Sequence, residues 1–471
     1  MSQYVLSDRN ITKVRPSFIF PIKCTTQTQY EHFMSKSQRP VLTTTIERLS
    51  HEARGIAQID GKTTFIRDAL PGETVRFSHT RRRGRFDEGQ TLEVLSAAPE
   101  RTSPHCAHFG TCGGCSLQHM QHDTQISHKA ASLVNLLQHQ GQAEPKSWLP
   151  PLTRNTLGYR HKARLSIRYV AKKGKVLVGF RERDGRFVAN LDKCHILHPS
   201  VGLHLSEISD CLLTLDARSS IPQIEIAIGD NTTALIIRHL EPLSTTDLDK
   251  LKALAEQHHY RLYLQPKGPD SIHLYHPTNT SPLMQYSLSD YELTLQFHPS
   301  QFIQINPSMN QAMLNQAMTH LELTPNDHVL DLFCGIGNFS LPMAKQCHHV
   351  TGIEGDDTAV LQARANALHN HLNNTTFEVA NLFESEPTSP WIQQRFDKVL
   401  LDPPRAGAQE VLPFLNTWQP NIIVYISCNP ATLARDTAII QSLQYTLDKA
   451  GIMDMFPHTQ HTEAMAVFYR K

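Results

Sequence analysis

From Pro307 onward, the sequence alternates between strand-like apolar segments and segments with helical periodicity. Five apolar segments have the length and composition of buried strands, namely HVLDLFCGIG, HVTGIEG, TTFEVAN, DKVLLDPP and NIIVYISC. Strands that alternate with helices form a parallel, doubly wound sheet, and the ligands of such sheets bind at the carboxyl ends of the strands. We therefore predict a Rossmann-like α/β domain over residues 303–471, with its functional residues at these strand ends.

The ends of the first three strands favour a nucleoside cofactor. The first ends in GIG at 335–337, where missing side chains let the backbone approach a nucleoside closely. The second ends in Glu354, whose carboxylate can accept hydrogen bonds from two ribose hydroxyls. A dinucleotide and S-adenosylmethionine both fit this arrangement. Ser340 replaces the third glycine of the dinucleotide fingerprint, and Asp331 and Asn381 suit S-adenosylmethionine better, which is our prediction.

The last two strand ends carry a carboxylate and a thiol. Asp402 in LLDPPRAG follows the fourth strand, and Cys428 in YISCNPATLARD follows the fifth. Most cysteines in such sheets are buried packing residues, but one at the mouth of a cofactor cleft is a candidate nucleophile. Ser427 and the Asn-Pro pair after the cysteine predict a tight turn that exposes its sulfur.

A thiol, a carboxylate and a methyl donor suit methylation of uracil at carbon 5. Attack of a thiolate on carbon 6 gives an enolate whose negative charge reaches carbon 5, and that carbon can take a methyl group from a sulfonium. A base must then remove the carbon-5 proton so that the cysteine leaves. Glu463 in FPHTQHTEAM, near the C-terminal strand, is our candidate base.

Three cysteines are crowded into HCAHFGTCGGC, at 105–115, in a chain that has nine. An odd, uneven set of cysteines in a long chain is typical of metal or catalytic sites rather than of a disulfide framework. The residues alone favour structural zinc, because tetrahedral zinc accepts four cysteines. His458 and His461 beside Glu463 resemble a second zinc site, but we interpret them as groups that orient the pocket or the base.

The chain before the α/β domain falls into three parts. Residues 1–40 form a polar tail, and Met34 in MSKSQRP leads to the hypothesis that residues 1–33 are dispensable. Residues 41–98 contain five short strand patterns separated by glycines, which predict an OB-like barrel. Residues 99–302 form a strand-rich middle domain, with an apolar helical stripe over 120–137 and a second helix over 247–258.

Two local basic segments are candidates for RNA contact. In the loop HTRRRGRF of the barrel, Phe86 could stack on a base of the RNA, and the basic cluster beside it could bind phosphates. We favour this interpretation over a solvated hairpin tip; the arginines of the cluster are Arg81, Arg82, Arg83 and Arg85. Residues 160–175 of the middle domain are also basic, and a solvated strand face is an equally good interpretation there. Over the whole chain, 45 Lys and Arg balance 44 Asp and Glu, so only local patches can attract nucleic acid.

No positively charged start followed by an apolar run marks a signal peptide, and no run of about 18 apolar residues marks a membrane span. We therefore expect a cytoplasmic protein without membrane association.

Together, these residues resemble the RNA uracil-C5 methyltransferase family from about residue 41 to residue 468, and within it the branch that acts on bacterial 23S ribosomal RNA. The resemblance implies a class I methyltransferase domain, an N-terminal TRAM barrel and a [4Fe–4S] cluster in the middle domain. It implies that Cys428 is the nucleophile and Glu463 the base. It also implies contacts with S-adenosylmethionine by Gln304, Phe333, Asn338, Glu354, Asn381 and Asp402.

The same resemblance implies an iron–sulfur cluster, rather than zinc, at the crowded cysteines. In that branch a cluster is bound by Cys-x5-Cys-x2-Cys and a distant fourth cysteine, which here correspond to Cys106, Cys112, Cys115 and Cys194. Relatives that modify tRNA lack the barrel and these cysteines, so both features favour 23S rRNA, free or partly assembled, as the substrate. No protein partner is evident.

Other functions remain open at this stage. An iron–sulfur oxidoreductase with a nicotinamide cofactor explains the cysteines and the GIG turn, but leaves SCNP, DPPR and HTQHTE without a role. An RNA-binding assembly factor with an inert sheet domain, and a methyltransferase acting on tRNA or on another 23S uridine, are the further alternatives.

Overall fold

The computed structural model describes residues 40–384 and 390–471. Residues 1–33, which we predicted to be dispensable, lie outside the described residues. Six strands open the described chain: β1 (Val41–Thr45), β2 (Arg48–Leu49), β3 (Gly55–Ile59), β4 (Lys62–Arg67), β5 (Thr74–Arg82) and β6 (Asp87–Ser96). They form one sheet in the order β1-β5-β6-β4-β3-β2, in which β4 and β6 are parallel and the other neighbours antiparallel.

The first predicted strand is two strands in the structure. The chain changes pairing partner at Ile46, because β1 pairs with β5 whereas β2 pairs with β3. The buried side chain of Ile46 packs with Val75 and Phe77 in the core of this unit. At the tip of the β5–β6 hairpin, Phe86 packs edge-on against Phe65 (5.4 Å) with the guanidinium of Arg83 over its ring. Phe86 is therefore already engaged within the barrel, unlike the free base-stacking ring that we predicted.

The next segments build a second sheet. Its order is β13-β12-β11-β10-β8-β9. In chain order, the elements of this part are α1 (His122–His139), β7 (Ser147–Trp148), β8 (Lys162–Val170), β9 (Lys175–Gly179), α2 (Pro199–Gly202), α3 (Leu205–Thr214), β10 (Gln223–Ile228), β11 (Thr233–Arg238), α4 (Thr245–His258), β12 (Tyr260–Gln265) and β13 (His273–His276).

Both faces of this second sheet are covered at its centre. Ile224 and Ile226 of β10 pack with α3 and α4, whereas Ala234 and Ile236 of β11 pack against the C-terminal domain. Lys162, in the basic segment that we predicted as solvated or RNA-contacting, is half-buried instead, and its Nζ donates a hydrogen bond to the carbonyl of Pro299 (3.0 Å).

The C-terminal sheet has the predicted doubly wound topology. This part of the chain begins with a separate two-stranded hairpin of β14 (Met284–Leu288) and β15 (Leu293–Phe297). The elements that follow are α5 (Pro307–Leu321), β16 (His328–Leu332), α6 (Ser340–Ala344), β17 (His349–Glu354), α7 (Asp357–His369), β18 (Thr375–Val379), β19 (Lys398–Leu401), α8 (Leu415–Trp418), β20 (Ile422–Ser427), α9 (Pro430–Ser442), β21 (Tyr445–Met453) and β22 (Glu463–Arg470). The strand order is β18-β17-β16-β19-β20-β22-β21-β7, and β22 runs antiparallel to its neighbours. The chain reverses its winding between β16 and β19, which places a ligand crevice at their carboxyl ends.

The predicted middle range, residues 99–302, is divided between two cores in the structure. Leu133 and Leu137 of α1 pack in one core with Leu433 of α9 and Tyr445 of β21. β7 extends the C-terminal sheet by pairing in parallel with β21, and the β14–β15 hairpin packs beside α7. The apolar stripe of α1 is thus core, as predicted, but it is the core of the C-terminal domain. Within the described residues, no helix has the length and apolar character needed to span a membrane.

Candidate active site

Strand register brings the candidate nucleophile and the candidate base together. β20 and β22 are antiparallel neighbours, and Ser427 lies opposite Ala464. Cys428 follows Ser427 and Glu463 precedes Ala464, so the same register places the two opposite each other at the carboxyl end of β20. Glu463 is 7% exposed, and Cys428 is half-buried.

The turn that holds Cys428 is fixed by its neighbours. The hydroxyl of Ser427 accepts a hydrogen bond from the N–H of Asn429 (3.1 Å) and donates one to the carbonyl of Asn429 (3.0 Å). Asn429 caps α9 by accepting a hydrogen bond from the N–H of Ala431 (3.2 Å), and its Nδ2 donates to the carbonyl of Arg405 (3.1 Å). The thiol therefore lies directly before a helix N-terminus, where the dipole favours a thiolate.

Three acidic groups share this end of the sheet. Burial, together with the charges of Glu463 and Asp402, raises the pKa of the Cys428 thiol to about 11. Burial raises the pKa of Glu463 to about 8 and that of Asp402 to about 7. The guanidinium of Arg405 opposes the shift at Cys428 and at Glu463. At neutral pH the thiol therefore keeps its proton, beside two carboxyl groups that titrate near neutrality.

The two histidines before Glu463 support the pocket wall. Nδ1 of His461 lies 2.9 Å from Nη2 of Arg405, and burial lowers the pKa of His461 to about 4, so its neutral ring can accept this hydrogen bond. The carbonyl of His458 accepts hydrogen bonds from the N–H groups of Ser116 and Leu117, at 2.9 Å each. In the described part of the chain, neither histidine belongs to a group with metal-ligating geometry. This supports an orienting role rather than a zinc site.

Glu354 ends β17 and holds the glycine turn that follows β16. Its carboxylate accepts hydrogen bonds from the N–H groups of Gly335 (3.1 Å), Gly355 (2.6 Å) and Asp356 (3.0 Å). Gly335 has a φ of +54°, and a side chain built there would meet no atom within 4 Å. The turn therefore leaves open space beside Glu354, as an approaching nucleoside requires.

Most of the other predicted cofactor residues border the same crevice. Nε2 of Gln304, ahead of α5, donates a hydrogen bond to Oδ2 of Asp402 (3.4 Å), which joins the two sides of the crevice near β19. Asn381 follows β18, and its Oδ1 accepts a hydrogen bond from the N–H of Phe383 (3.1 Å). The ring of Phe333, at a φ of +64°, lies 5.8 Å from the ring of Phe383.

The side chain of Asn338 is engaged within the protein. Its Oδ1 accepts hydrogen bonds from the hydroxyl of Tyr286 (3.1 Å) and from Nδ2 of Asn310 (2.9 Å), and its own Nδ2 donates to Oδ1 of Asn310 (2.9 Å). This amide pair fastens the glycine turn to α5. A contact between Asn338 and a cofactor is thus limited to the second hydrogen of its Nδ2 and to its backbone.

The chain matches known proteins over most of its length. Residues 283–471 match the family model for tRNA (Uracil-5-)-methyltransferase, and residues 37–76 match that of the TRAM domain. A protein of Francisella tularensis subsp. novicida named 23S rRNA (uracil(1939)-C(5))-methyltransferase RlmD is 47% identical over 439 residues, which are 92% of this chain and 98% of the relative. The chain belongs to the RNA uracil-C5 methyltransferase family.

Further relatives agree with this membership. A protein of Legionella pneumophila (strain Paris) with the same name is 46% identical over 91% of this chain and 97% of its own length. The fold is also that of the tRNA (uracil-54, C5)-methyltransferase of Pyrococcus abyssi, solved in complex with S-adenosyl-L-homocysteine, with a TM-score of 0.70 and 21% identity over 91% of this chain and 100% of that one. The predicted family and fold class are therefore confirmed.

In this uracil-C5 methyltransferase, the four predicted cluster cysteines line one pocket. Apolar side chains complete it, among them Phe109 and Phe180, and the N–H of Gly114 donates a hydrogen bond to Sγ of Cys112 (3.3 Å). The pocket therefore offers four thiol donors in a mostly apolar setting, from Cys106, Cys112, Cys115 and Cys194.

A buried ion pair that the sequence did not predict lies beside the candidate base Glu463. Nζ of Lys129, on α1, donates hydrogen bonds to Oδ1 of Asp454 (2.6 Å) and to the carbonyl of Phe456 (3.1 Å), and His122 contacts the other carboxylate oxygen (2.8 Å). Lys129 and Asp454 are each only 1% exposed. The charge of Lys129 also helps to lower the pKa of Glu463 against the effect of burial. A lysine within the apolar stripe of α1 was the available signal.

Proposed function

We propose that this chain methylates carbon 5 of a uridine in 23S rRNA, with S-adenosylmethionine as the methyl donor. The observation that carries this proposal is the juxtaposition of Cys428 and Glu463 at the carboxyl end of β20, in a chain 47% identical to proteins named for that reaction. When bound, S-adenosylmethionine supplies an electrophilic methyl group. The protein supplies a thiol and a base.

The order of proton transfers follows from the pKa values of the site. Cys428 must lose a proton before its sulfur can bond carbon 6 of the uracil, and Asp402, whose pKa of about 7 leaves it partly ionised at neutral pH, is the acceptor that we assign to this proton. After the methyl transfer, the carboxylate of Glu463 removes the proton from carbon 5. The bond between sulfur and carbon 6 then breaks, which restores the double bond between carbons 5 and 6 and releases a thiolate that takes its proton back from Asp402.

The crevice between β16 and β19 suits the proposed cofactor. Glu354 is placed to accept hydrogen bonds from the ribose hydroxyls, beside the open space at Gly335. Deeper in the crevice, Ser340 donates a hydrogen bond to one oxygen of Asp331, while the buried Oδ1 has no hydrogen-bond partner among the described residues. The proposed cofactor contacts remain the six residues predicted from the sequence: Gln304, Phe333, Asn338, Glu354, Asn381 and Asp402.

The four-cysteine pocket is proposed to hold a [4Fe–4S] cluster. The donor set of four thiols and the apolar lining of the pocket support this proposal. The cluster would supply a structural crosslink there, between the segment at 105–121 and Cys194 of the middle domain. The ligands are Cys106, Cys112, Cys115 and Cys194.

The substrate is proposed to be free or partly assembled 23S rRNA. A uracil stacked inside a helix cannot reach the half-buried Cys428, so the target base must be single-stranded or flipped out. The exposed arginines at the tip of the β5–β6 hairpin can bind the RNA backbone on the barrel side.

Trapping with 5-fluorouridine tests this function. Fluorine at carbon 5 cannot leave as a proton, so the thiol adduct should persist when the protein and S-adenosylmethionine meet 5-fluorouridine-substituted 23S rRNA, with tRNA in parallel. We expect a covalent complex with 23S rRNA that maps to Cys428 by mass spectrometry and disappears in Cys428→Ala. An adduct with tRNA alone would keep the mechanism and overturn the substrate. The absence of any adduct, despite cofactor binding, would favour an RNA-binding assembly factor.

A further inference from the structure

A second site lies on the outer helices of the middle domain, away from the sheet ends described above. His204 immediately precedes α3, Glu207 is on its first turn, and His258 ends α4. One ligand atom from each of the three lies within 4.8 Å of the other two, a geometry that no other group of described residues has. We propose that His204, Glu207 and His258 form a binding site for a divalent transition-metal ion such as Zn²⁺.

The contacts within the group support a bridging cation. Nδ1 of His204 lies 2.8 Å from Oε1 of Glu207. Nε2 of His258 lies 3.0 Å from Oε2 of the same carboxylate. The two imidazoles therefore face the two oxygens of one carboxylate, and one metal ion can take a ligand atom from each of the three side chains.

The chemistry of the three side chains matches a known kind of site. Two imidazoles and one carboxylate bind zinc in catalytic metal centres, where water completes the tetrahedron. Nε2 of Gln257 donates to Oε2 of Glu207 (3.0 Å), and this amide can stay as a neighbour that orients the carboxylate.

The surroundings hold the ligands in place. The ring of His258 stacks on Tyr260 (5.2 Å, 21°), and the rings of His204 and His258 are 4.4 Å apart. The side chain of His258 is only 9% exposed, whereas that of Glu207 is 45% exposed, which gives an ion access from solvent. A cation there also lies near the C-terminus of α4, where the helix dipole favours positive charge. The bound ion would crosslink α3 to α4.

Zinc titration of the full-length, anaerobically purified chain tests this site. Iron content is measured first, so that empty cysteine sites are not counted. Isothermal titration with zinc chloride compares the wild type with Glu207→Gln, His258→Ala and the control His139→Ala, which removes an exposed histidine on α1. We expect the control to bind zinc like the wild type and both site variants to lose at least about 10-fold in zinc affinity. Substitution of a residue that only hydrogen-bonds to a metal ligand already lowers metal affinity by about that factor.

A second measurement separates lost ligands from lost structure. Zinc should raise the thermal unfolding midpoint of the wild type and of His139→Ala, but not that of Glu207→Gln. Because Glu207 is largely exposed, its glutamine variant should fold normally even where His258→Ala does not. Equal zinc affinity in the wild type and in Glu207→Gln would overturn the proposal, as would binding that depends on the cysteines alone.

Discussion

At the scale of single residues, the proposed mechanism depends on Glu463, whose carboxyl group is held mostly in its protonated form at neutral pH by burial. Glu463 is buried at the start of β22, and its pKa of about 8 makes it a stronger base than an exposed carboxylate once it is ionised. Its position opposite Cys428 lets it act on the uracil carbon next to the one that the sulfur attacks.

Replacing Glu463 by glutamine should separate the two halves of the reaction. Glu463→Gln keeps the shape of the side chain but removes the base, so addition and methyl transfer should proceed while release fails. We expect a stable RNA–protein adduct on denaturing gels with ordinary, non-fluorinated RNA, and a loss of turnover of at least about 100-fold. The adduct should be absent from the double variant with Cys428→Ala. Normal turnover by Glu463→Gln would assign the base to another residue.

The pH dependence should follow the ionisation of Glu463. Because burial raises its pKa to about 8, the carboxyl group is mostly protonated at pH 7 and becomes a base as the pH rises through 8. Release of tritium from RNA labelled at carbon 5 of uridine should therefore accelerate between about pH 7 and pH 9 and then level off. A release rate that is flat or falls over this range would contradict the assignment.

At the scale of secondary-structure elements, α1 supports the loop that leads to the base. Lys129 reaches from α1 to Asp454 at the end of β21 and to the carbonyl of Phe456. Gln125, one turn earlier, accepts a hydrogen bond from the N–H of His458 (3.1 Å) and donates to the carbonyls of Leu117 and Met120. The helix therefore fixes the loop on one side and the cysteine segment on the other.

Removing Lys129 should be costly for stability. Lys129→Met leaves the buried carboxylate of Asp454 with His122 as its remaining side-chain partner, and the loss of one member of a buried pair costs about 3–5 kcal/mol. The control is Lys146→Met, whose partner Asp448 is 3.3 Å away and whose side chain is 65% exposed, and there we expect less than about 1 kcal/mol. Urea unfolding measures both changes. Equal transition midpoints for the two variants would show that the buried pair of Lys129 and Asp454 stabilises the fold no more than the exposed pair does.

The sequence predicted the secondary-structure elements better than it predicted which elements pack against one another. Period-2 and helical patterns located the strands β16 to β20 and the helices α1 and α4, and the rule for parallel sheets pointed to the strand ends that carry Glu354, Asp402 and Cys428. The sequence pattern of α1 predicts an apolar face but not which element packs against it. The role of Lys129 within that face could be recognised only from its contact with Asp454. The internal hydrogen bonds of Asn338 are likewise a product of tertiary structure.

At the scale of the whole molecule, the barrel is fastened to the rest by ion pairs. Arg183 contacts Asp68 of the barrel (2.5 Å), and the guanidinium of Arg101 binds the fully buried carboxylate of Glu73 (2.7 Å). Both arginines belong to segments next to the cysteine pocket. The barrel can thus present its basic hairpin in a fixed direction relative to the sheet domain.

The hairpin arginines should control the salt dependence of RNA binding. Arg82 and Arg85 are exposed and form no ion pair within the described chain, so each is free for a phosphate. The double variant Arg82→Ala/Arg85→Ala should lower the slope of log affinity against log salt by about 1.4–1.8, and S-adenosylmethionine binding should not change. Arg76→Ala is the control, because Glu93 already pairs with Arg76 (3.0 Å). An unchanged slope would remove the hairpin from the RNA interface.

The pairing of β20 with β22 also determines which changes of chain length the chemistry tolerates. Cys428 and Glu463 meet through the register of β20 and β22, so insertions in the loop between α9 and β21 leave the distance between sulfur and carboxylate unchanged. A slip of β22 by a single residue would instead turn Glu463 to the opposite face of the sheet. Between these two residues the chain can lengthen, but β22 cannot shift.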